Sequence, residues 1–372
     1  MAQTELQPAA KRDWMLPLIG VAVLAILGLL WAIVTLRDTP CNWFVRLRGS
    51  GCIQVFSRDM ALPSQAGNVY FSADDSRLVF LDGETIRIEP VRQRSAFGAV
   101  KSIPIFPPGA KETHKNLFYI EDFTLSPDGK MVVLCADYHL GELDYKSRLL
   151  LKEIDPSANA RFVLPDTDCF WREISFVSPS VFSLNSSEAA DKRVLFFDVR
   201  DDTLRSLPGM QLKGFSENST ILPIQVEEKI SLYSFPDFKE TGQLSAPSEL
   251  DAAIIPLGSS YIFAEAADEP VIYMIERSSG ELVYTFSDKA YQRTRAFTVS
   301  RQGDLVAAVF SRLDSSVIDS VLYVWDARDR QVVGKFSFDH LSNDPRWLDF
   351  SSDGKLLAVG TSDYVMILDL TK

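Results

Sequence analysis

A chain of 372 residues, 46% hydrophobic and 24% charged, has a globular rather than a disordered composition. Its formal net charge of −12 sets most of the surface against phosphate backbones and anionic headgroups, which disfavours nucleic acid as a partner. Nineteen Gly and nineteen Pro, many at the ends of short apolar runs, lean towards an all-β fold.

In chain order, residues 1–13 form a short tail and residues 14–36 (WMLPLIGVAVLAILGLLWAIVTL) a run of 23 without a charge. As a helix that run spans about 34 Å, enough for a bilayer core of about 30 Å. It reads as one transmembrane helix. A cleaved signal peptide would have an apolar core of about 7 to 15 residues and a small-x-small cleavage site, whereas this run ends in Val34-Thr35-Leu36-Arg37. Asp38-Thr39-Pro40 also lacks the small residues that precede a lipidated cysteine. Lys11 and Arg12 stand before the helix and Arg37, Arg46 and Arg48 after it, so the nearby positive charges do not by themselves decide orientation. A short tail with Lys-Arg directly before the first apolar run favours a cytoplasmic N-terminus and a domain on the non-cytoplasmic side.

Residues 37–52 read as a juxtamembrane linker. Cys41 and Cys52, eleven residues apart, pair as a disulfide in an oxidising compartment or remain two thiols; the sequence leaves both open. Cys135, within Met131-Val132-Val133-Leu134-Cys135, reads as a small buried core residue.

From residue 53 a unit repeats. Its clearest copies pair an apolar run with a turn and two further runs. Val69-Tyr70-Phe71-Ser72 leads through Asp74-Asp75 to Arg77–Leu81 and Thr85–Ile88. Phe123-Thr124-Leu125-Ser126 leads through Pro127-Asp128-Gly129 to Met131–Ala136 and Arg148–Lys152. Phe297-Thr298-Val299-Ser300 leads through Gln302-Gly303 to Leu305–Val309 and Val321–Asp326. The segment Trp347–Leu370 is the fourth copy.

Three weaker copies keep the order of runs without that turn, starting at Ile174–Phe176, Leu212–Phe215 and Ala253–Ile255. Seven units fit, at spacings of roughly 40 to 53 residues; the weak central units leave six or eight open. Outer fourth runs follow, as in Arg161–Leu164, Glu281–Tyr284 and Gln331–Gly334. The last unit has none, and Ile53–Phe56 has no unit of its own. Joining the two closes a ring, so residues 53–58 are expected to complete the last blade of a domain spanning 53–372. The expected fold is a seven-bladed β-propeller of four-stranded antiparallel blades behind one transmembrane helix.

With these residues in view, the chain resembles the WD-repeat (WD40-like) β-propeller family over residues 53 to 370. Tyr323-Val324-Trp325-Asp326 matches the strand-end Trp-Asp of that family, and Phe197-Asp198 and Leu368-Asp369 are similar to relaxed versions of it. Ser-Pro-Asp-Gly at 126–129 and Ser-Ser-Asp-Gly at 351–354 resemble its first hairpin turn, where Gly accepts positive φ. No unit has the Gly-His dipeptide and only one has the Trp, so the His-Ser-Asp-Trp network that the resemblance would imply is missing from most blades.

Catalytic signatures are absent from the sequence: there is no Gly-x-Ser-x-Gly, His-Glu-x-x-His, Gly-rich phosphate loop or Cys-x-x-Cys. No catalytic, cofactor or metal residue is assigned. The three histidines, His114, His139 and His340, fall in expected loops. Asp166-Thr167-Asp168 and Asp201-Asp202 read as solvated acidic turns rather than calcium loops. Asn185 and Asn218 fit the glycosylation pattern, which matters only for an exported chain in a glycosylating host.

One region carries an interface composition. The connection Phe106 to Tyr119 and the segment Asp137 to Lys146 should emerge on one face, bringing Phe106, Phe118, Tyr119, Tyr138 and Tyr145 together among mixed charges. These aromatics either meet a partner or pin long loops to the blade. The expected function is a non-catalytic, membrane-anchored interaction platform or sensor with a protein partner and no cofactor. The alternative is a propeller enzyme or small-ligand receptor that uses the central channel, betrayed by carboxylate, His or Asn groups converging there.

Overall fold

The structure is a computed structural model that describes residues 52–57, 68–83, 85–91, 100–105, 117–139, 145–164, 169, 174–185, 192–211, 220–314, 317–338, 345–361 and 364–371. The expected helix at 14–36 lies outside them, and among the described residues no helix is long and apolar enough to cross a membrane.

Short alternating runs joined by tight turns make seven four-stranded antiparallel sheets. The first strand among the described residues is β1 (Cys52–Ser57). Blade 1 is β2 (Val69–Phe71), β3 (Arg77–Asp82), β4 (Thr85–Pro90) and β5 (Lys101–Pro104). Blade 2 is β6 (Leu117–Leu125), β7 (Met131–His139), β8 (Tyr145–Glu153) and β9 (Arg161–Val163). Blade 3 is β10 (Ile174–Ser178), β11 (Val181–Asn185), β12 (Arg193–Asp198) and β13 (Thr203–Pro208).

Blade 4 is β14 (Met210–Gln211), β15 (Ile221–Val226), β16 (Lys229–Ser234) and β17 (Lys239–Ser245). Blade 5 is β18 (Leu250–Ile254), β19 (Tyr261–Ala266), β20 (Val271–Glu276) and β21 (Leu282–Ser287). Blade 6 is β22 (Arg293–Val299), β23 (Leu305–Asp314), β24 (Val317–Asp326) and β25 (Gln331–Ser337). Blade 7 joins β26 (Trp347–Phe350), β27 (Leu356–Gly360) and β28 (Tyr364–Asp369) to β1.

The expected closure is therefore present: β1 runs antiparallel to β28, with Cys52 opposite Leu368 and Ser57 opposite Tyr364. At the first strand of blade 4 the described residues are Met210 and Gln211. Pairing there is made by Met210 opposite Gln225 and Gln211 opposite Ile224, while Leu212–Phe215 lies outside the described residues. The chain reaches the new blade one residue after β13, through Gly209 at φ 110°. A Cβ on that glycine would stand 2.6 Å from the Gln225 carbonyl oxygen, so the close approach of two strands excludes a side chain.

Seven apolar clusters hold the ring, one between each pair of neighbouring blades. Strand β7 shows why the inner strands read as unbroken apolar runs. Its Val132, Leu134 and Ala136 join the cluster shared with blade 1, and Val133 and Cys135 the one shared with blade 3. A strand buried on both faces has no polar side to alternate with.

The four clear sequence copies share one turn. Ser72, Ser126, Ser300 and Ser351 each donate their backbone N–H to the carbonyl five residues on, at 2.8 to 3.0 Å. Each hydroxyl oxygen accepts the N–H of that same residue, at 2.9 to 3.1 Å. The serine thus latches both ends of the hairpin. At its tip Gly129, Gly303 and Gly354 take φ of 70°, 78° and 69°, the left-handed region where a Cβ is disfavoured. Strand-end aspartates fasten the other turn on the same face: Asp198, Asp326 and Asp369 accept the N–H two residues on, at 2.8 to 3.0 Å. A strand-end aspartate thus has a use of its own, with a tryptophan before it or without one. Trp325 itself lies in the blade 5 and 6 cluster, 5.4 Å from Phe286 and 5.9 Å from Phe310.

Blade 1 places Asp75 at the glycine position, at φ 55°. Its carboxylate is buried and accepts the Ser352 backbone N–H of blade 7 at 2.9 Å, together with the Ser352 hydroxyl. The residue accepts local strain and in return ties the first blade to the last. Asp75→Gly should relieve the turn yet lower stability by about 1 to 2 kcal/mol, because the bonds to a charged acceptor outweigh the backbone gain. A rise in the urea midpoint would overturn this reading of Asp75.

One cysteine expectation changes. Cys135 is fully buried but is not a free core thiol; it is bonded to Cys169, 34 residues on in the connection to blade 3. Spacing alone did not suggest that pair, because Cys169 meets Cys135 only in the cluster that blades 2 and 3 share. Cys52 is also disulfide-bonded, and Cys41, its expected partner, lies outside the described residues. His139, expected in a loop, ends β7 opposite Tyr145.

Candidate functional site

Alternating strand direction gives the ring two unlike faces. First-to-second and third-to-fourth hairpin turns emerge on one, here termed the turn face. Second-to-third turns and blade-to-blade connections emerge on the other, the connection face.

The aromatic candidates belong to the connection face of blade 2. Phe118 and Tyr119 fall within β6, Tyr138 within β7 and Tyr145 within β8, all in one sheet; Phe106 lies outside the described residues. Register sets Leu117 opposite Tyr138, Tyr119 opposite Asp137, and His139 opposite Tyr145. The described residues at both ends of the expected loop Asp137–Lys146, 137–139 and 145–146, are strand, while 140–144 lie outside the described residues; β7 thus runs nine residues where β3, its counterpart in blade 1, runs six and ends at Asp82. Aromatic residues such as Tyr138 and Tyr145 favour such extended pairing. Blade 6 carries a second long hairpin on this face, ending with Asp314 opposite Val317.

The second candidate is the central channel, a cavity of 320 Å³ lined by Tyr70, Arg295, Arg301, Arg346, Trp347 and Asp349, among others. Innermost strands of blades 1, 5, 6 and 7 supply most of its wall. Arg346 and Arg295 lie towards the connection face on neighbouring blades, and Arg301 sits in the first turn of blade 6 on the turn face. The Arg295 Nε donates to the Ser311 hydroxyl at 3.1 Å.

Asp75, Glu265 and Asp349 stand on this wall, and two of them bond across blades. Asp349 accepts the Phe71 backbone N–H at 2.7 Å, joining blades 7 and 1, and Asp75 is held by Ser352. On blade 2, Asp122 takes the Asn68 amide of blade 1 at 2.6 Å and faces the Ile174 N–H of blade 3 at 3.4 Å. Asn68 also donates to the Phe123 carbonyl, as does the Tyr70 hydroxyl at 3.1 Å. Burial, with the Asp122 carboxylate adding to it, raises the Tyr70 hydroxyl well above its ordinary value, so it stays a neutral donor. Tyr70 packs edge-on between Phe123 and Trp347 at 5.3 and 5.4 Å. Trp347 keeps a buried Nε1–H without an acceptor among the described residues.

The acidic turns show their own reason. Asp201 accepts the Thr203 N–H and hydroxyl, and Asp202 pairs with Arg161 at 3.0 Å. Asp166 and Asp168 lie outside the described residues. Among the described residues no group of three His, Cys, Asp or Glu is placed to hold a metal ion.

Compared with known proteins, the chain matches no family model and no curated protein sequence.

Proposed function

We propose that the chain is a membrane-anchored, non-catalytic β-propeller that serves as a protein-interaction platform on the non-cytoplasmic side. The observation that carries this reading is the use made of inner carboxylates. Asp349 and Asp75 on the channel wall and Asp122 on the inner strand of blade 2 bond between blades, which suits a rigid ring whose variable parts are its loops. The exported location is supported by the buried Cys135–Cys169 bond, since such bonds persist in oxidising compartments. The anchor rests on the uncharged run 14–36.

The partner surface in this reading is the aromatic end of blade 2. Changing Tyr138 and Tyr145 to Ala should weaken capture of the partner from detergent-solubilised membranes by tenfold or more, about 2 kcal/mol for loss of an aromatic anchor. The thermal midpoint should not move with it. Undiminished capture would remove this surface from consideration.

A second reading, a receptor for a small anion in the channel, is favoured by the three arginines on its wall and the unpartnered Trp347 Nε1–H. Stabilisation by millimolar succinate or phosphate that disappears in Arg346→Ala would select it over the platform.

A further inference from the structure

The charges on the channel wall are unevenly spread. Arg295 and Arg346 stand with Glu265 towards the connection face, whereas Asp75 and Asp349 accompany Arg301 towards the turn face. Counted by sign, the connection-face mouth holds two positive groups against one negative, and the turn-face end the reverse. Trp347, Phe297, Ile254 and Ala252 give the wall between them an apolar surface.

The local structure of β22 accounts for Arg295. Thr294 pairs with Phe310 and Ala296 with Val309, which leaves Arg295 as the extra residue of a β-bulge, and a bulge re-aims the side chain it carries. Its Nε donates to the buried Ser311 hydroxyl, so the guanidinium is positioned before any ligand arrives. Arg346 comes from the neighbouring blade, directly before β26, and is exposed. Among the described residues its side chain makes no hydrogen bond or ion pair. The carboxylates are in a different position: Asp349 and Asp75 accept bonds across blades, and Glu265 is buried and has a partner.

We propose that the channel binds an organic monocarboxylate with an apolar tail. Arg295 and Arg346 hold the carboxylate at the connection-face mouth, and the tail lies along Trp347, Phe297 and Ile254. This rests on the reading of the channel as a receptor for a small anion, and gives that anion its chemical class.

The cavity of 320 Å³ falls within the roughly 300 to 1,000 Å³ of small-molecule sites, which are mostly apolar with a few placed polar groups. Inorganic phosphate would meet both arginines but leave the aromatic wall against water, gaining nothing from its burial. A dicarboxylate would carry its second charge towards Asp75 and Asp349, where like charges repel in a site partly withdrawn from water.

The test uses the full chain in lipid nanodiscs, with dissociation constants taken from the rise of the thermal midpoint with ligand concentration. From acetate through butyrate to hexanoate, affinity should grow by up to about fourfold per methylene, the equivalent of ~0.8 kcal/mol for each CH₂ buried. Hexanoate should bind about tenfold more tightly than adipate, which has the same six carbons and a second charge to desolvate. Arg346→Ala should weaken hexanoate by about tenfold, through loss of a charge-assisted bond, with the unliganded midpoint reporting that the variant is folded. Phosphate or adipate binding as tightly as hexanoate, or a series that does not strengthen with chain length, overturns the proposal and leaves the receptor reading standing. Hexanoate affinity unchanged in Arg346→Ala overturns it as well, since the tail is then held elsewhere. Absence of stabilisation by any of these anions removes the receptor reading, and the proposal with it.

Discussion

Excising Cys52–Ser57 from the full chain should abolish most of the cooperative stability of the propeller, although only six residues are lost. Strand β1 supplies the outer quarter of blade 7 and serves two of the apolar clusters: Cys52 in the one shared with blade 6, and Phe56 in the one shared with blade 1. The Phe56 ring lies 5.7 Å from that of Phe80. Without the strand, β28 presents an open edge, and nothing covalent then links the first blade to the last except the long way around the ring. Phe56→Ala alone should cost about 3 to 5 kcal/mol, a large share of the 5 to 15 kcal/mol typical of a domain. That variant keeps Cys52 and its bond, so it separates the packing of the clasp from the disulfide. Urea unfolding of the detergent-solubilised chain reads both effects, and a midpoint unchanged by the excision would show that the ring closes without this strand.

Replacing Cys135 and Cys169 together by Ala should cost roughly 3 to 4 kcal/mol, the loop-closure entropy of a cross-link spanning about 34 residues. Both side chains are fully buried between blades 2 and 3, which shields the bond from reductant in the native state. Compared in a Cys52→Ala background, which removes the other disulfide, the midpoint with Cys135 and Cys169 present should fall to that of the double variant when reductant is present during unfolding, while the double variant is indifferent to reductant. If the double variant unfolds at the wild-type midpoint, the bond contributes nothing to stability and no longer supports an oxidising compartment. The slope of ΔG against urea should steepen as well, since the unlinked denatured chain exposes more surface.

These two features lay at opposite ends of legibility. The clasp could be read because the repeat leaves a remainder: one unit short of an outer strand and one strand without a unit. The Cys135–Cys169 pair could not, and Cys135 passed for an ordinary core residue inside an apolar run. At the candidate surface, Tyr138 and Tyr145 were visible as aromatics but were placed in a loop, and the hairpin that orders their backbone emerged from the register of β7 and β8. In the channel, Asp349 and Asp122 were indistinguishable in sequence from any strand-end carboxylate.

The amino-acid sequence by itself determined the unit and its turns, and the seven sheets of the structure settled the blade count that the weak central units had left open. The unit and its turns rest on bonds between residues no more than five apart, such as Ser126 to Met131, and on runs that stay apolar because both faces of an inner strand are covered. Only the tertiary structure decided what ties one blade to the next. Asp75 meets Ser352 across 277 positions and Asp349 meets Phe71 across 278, contacts that exist only once the ring has closed. A local pattern can specify a turn, because its partners travel with it along the chain; a bond between the first blade and the last depends on the accumulated twist of all seven.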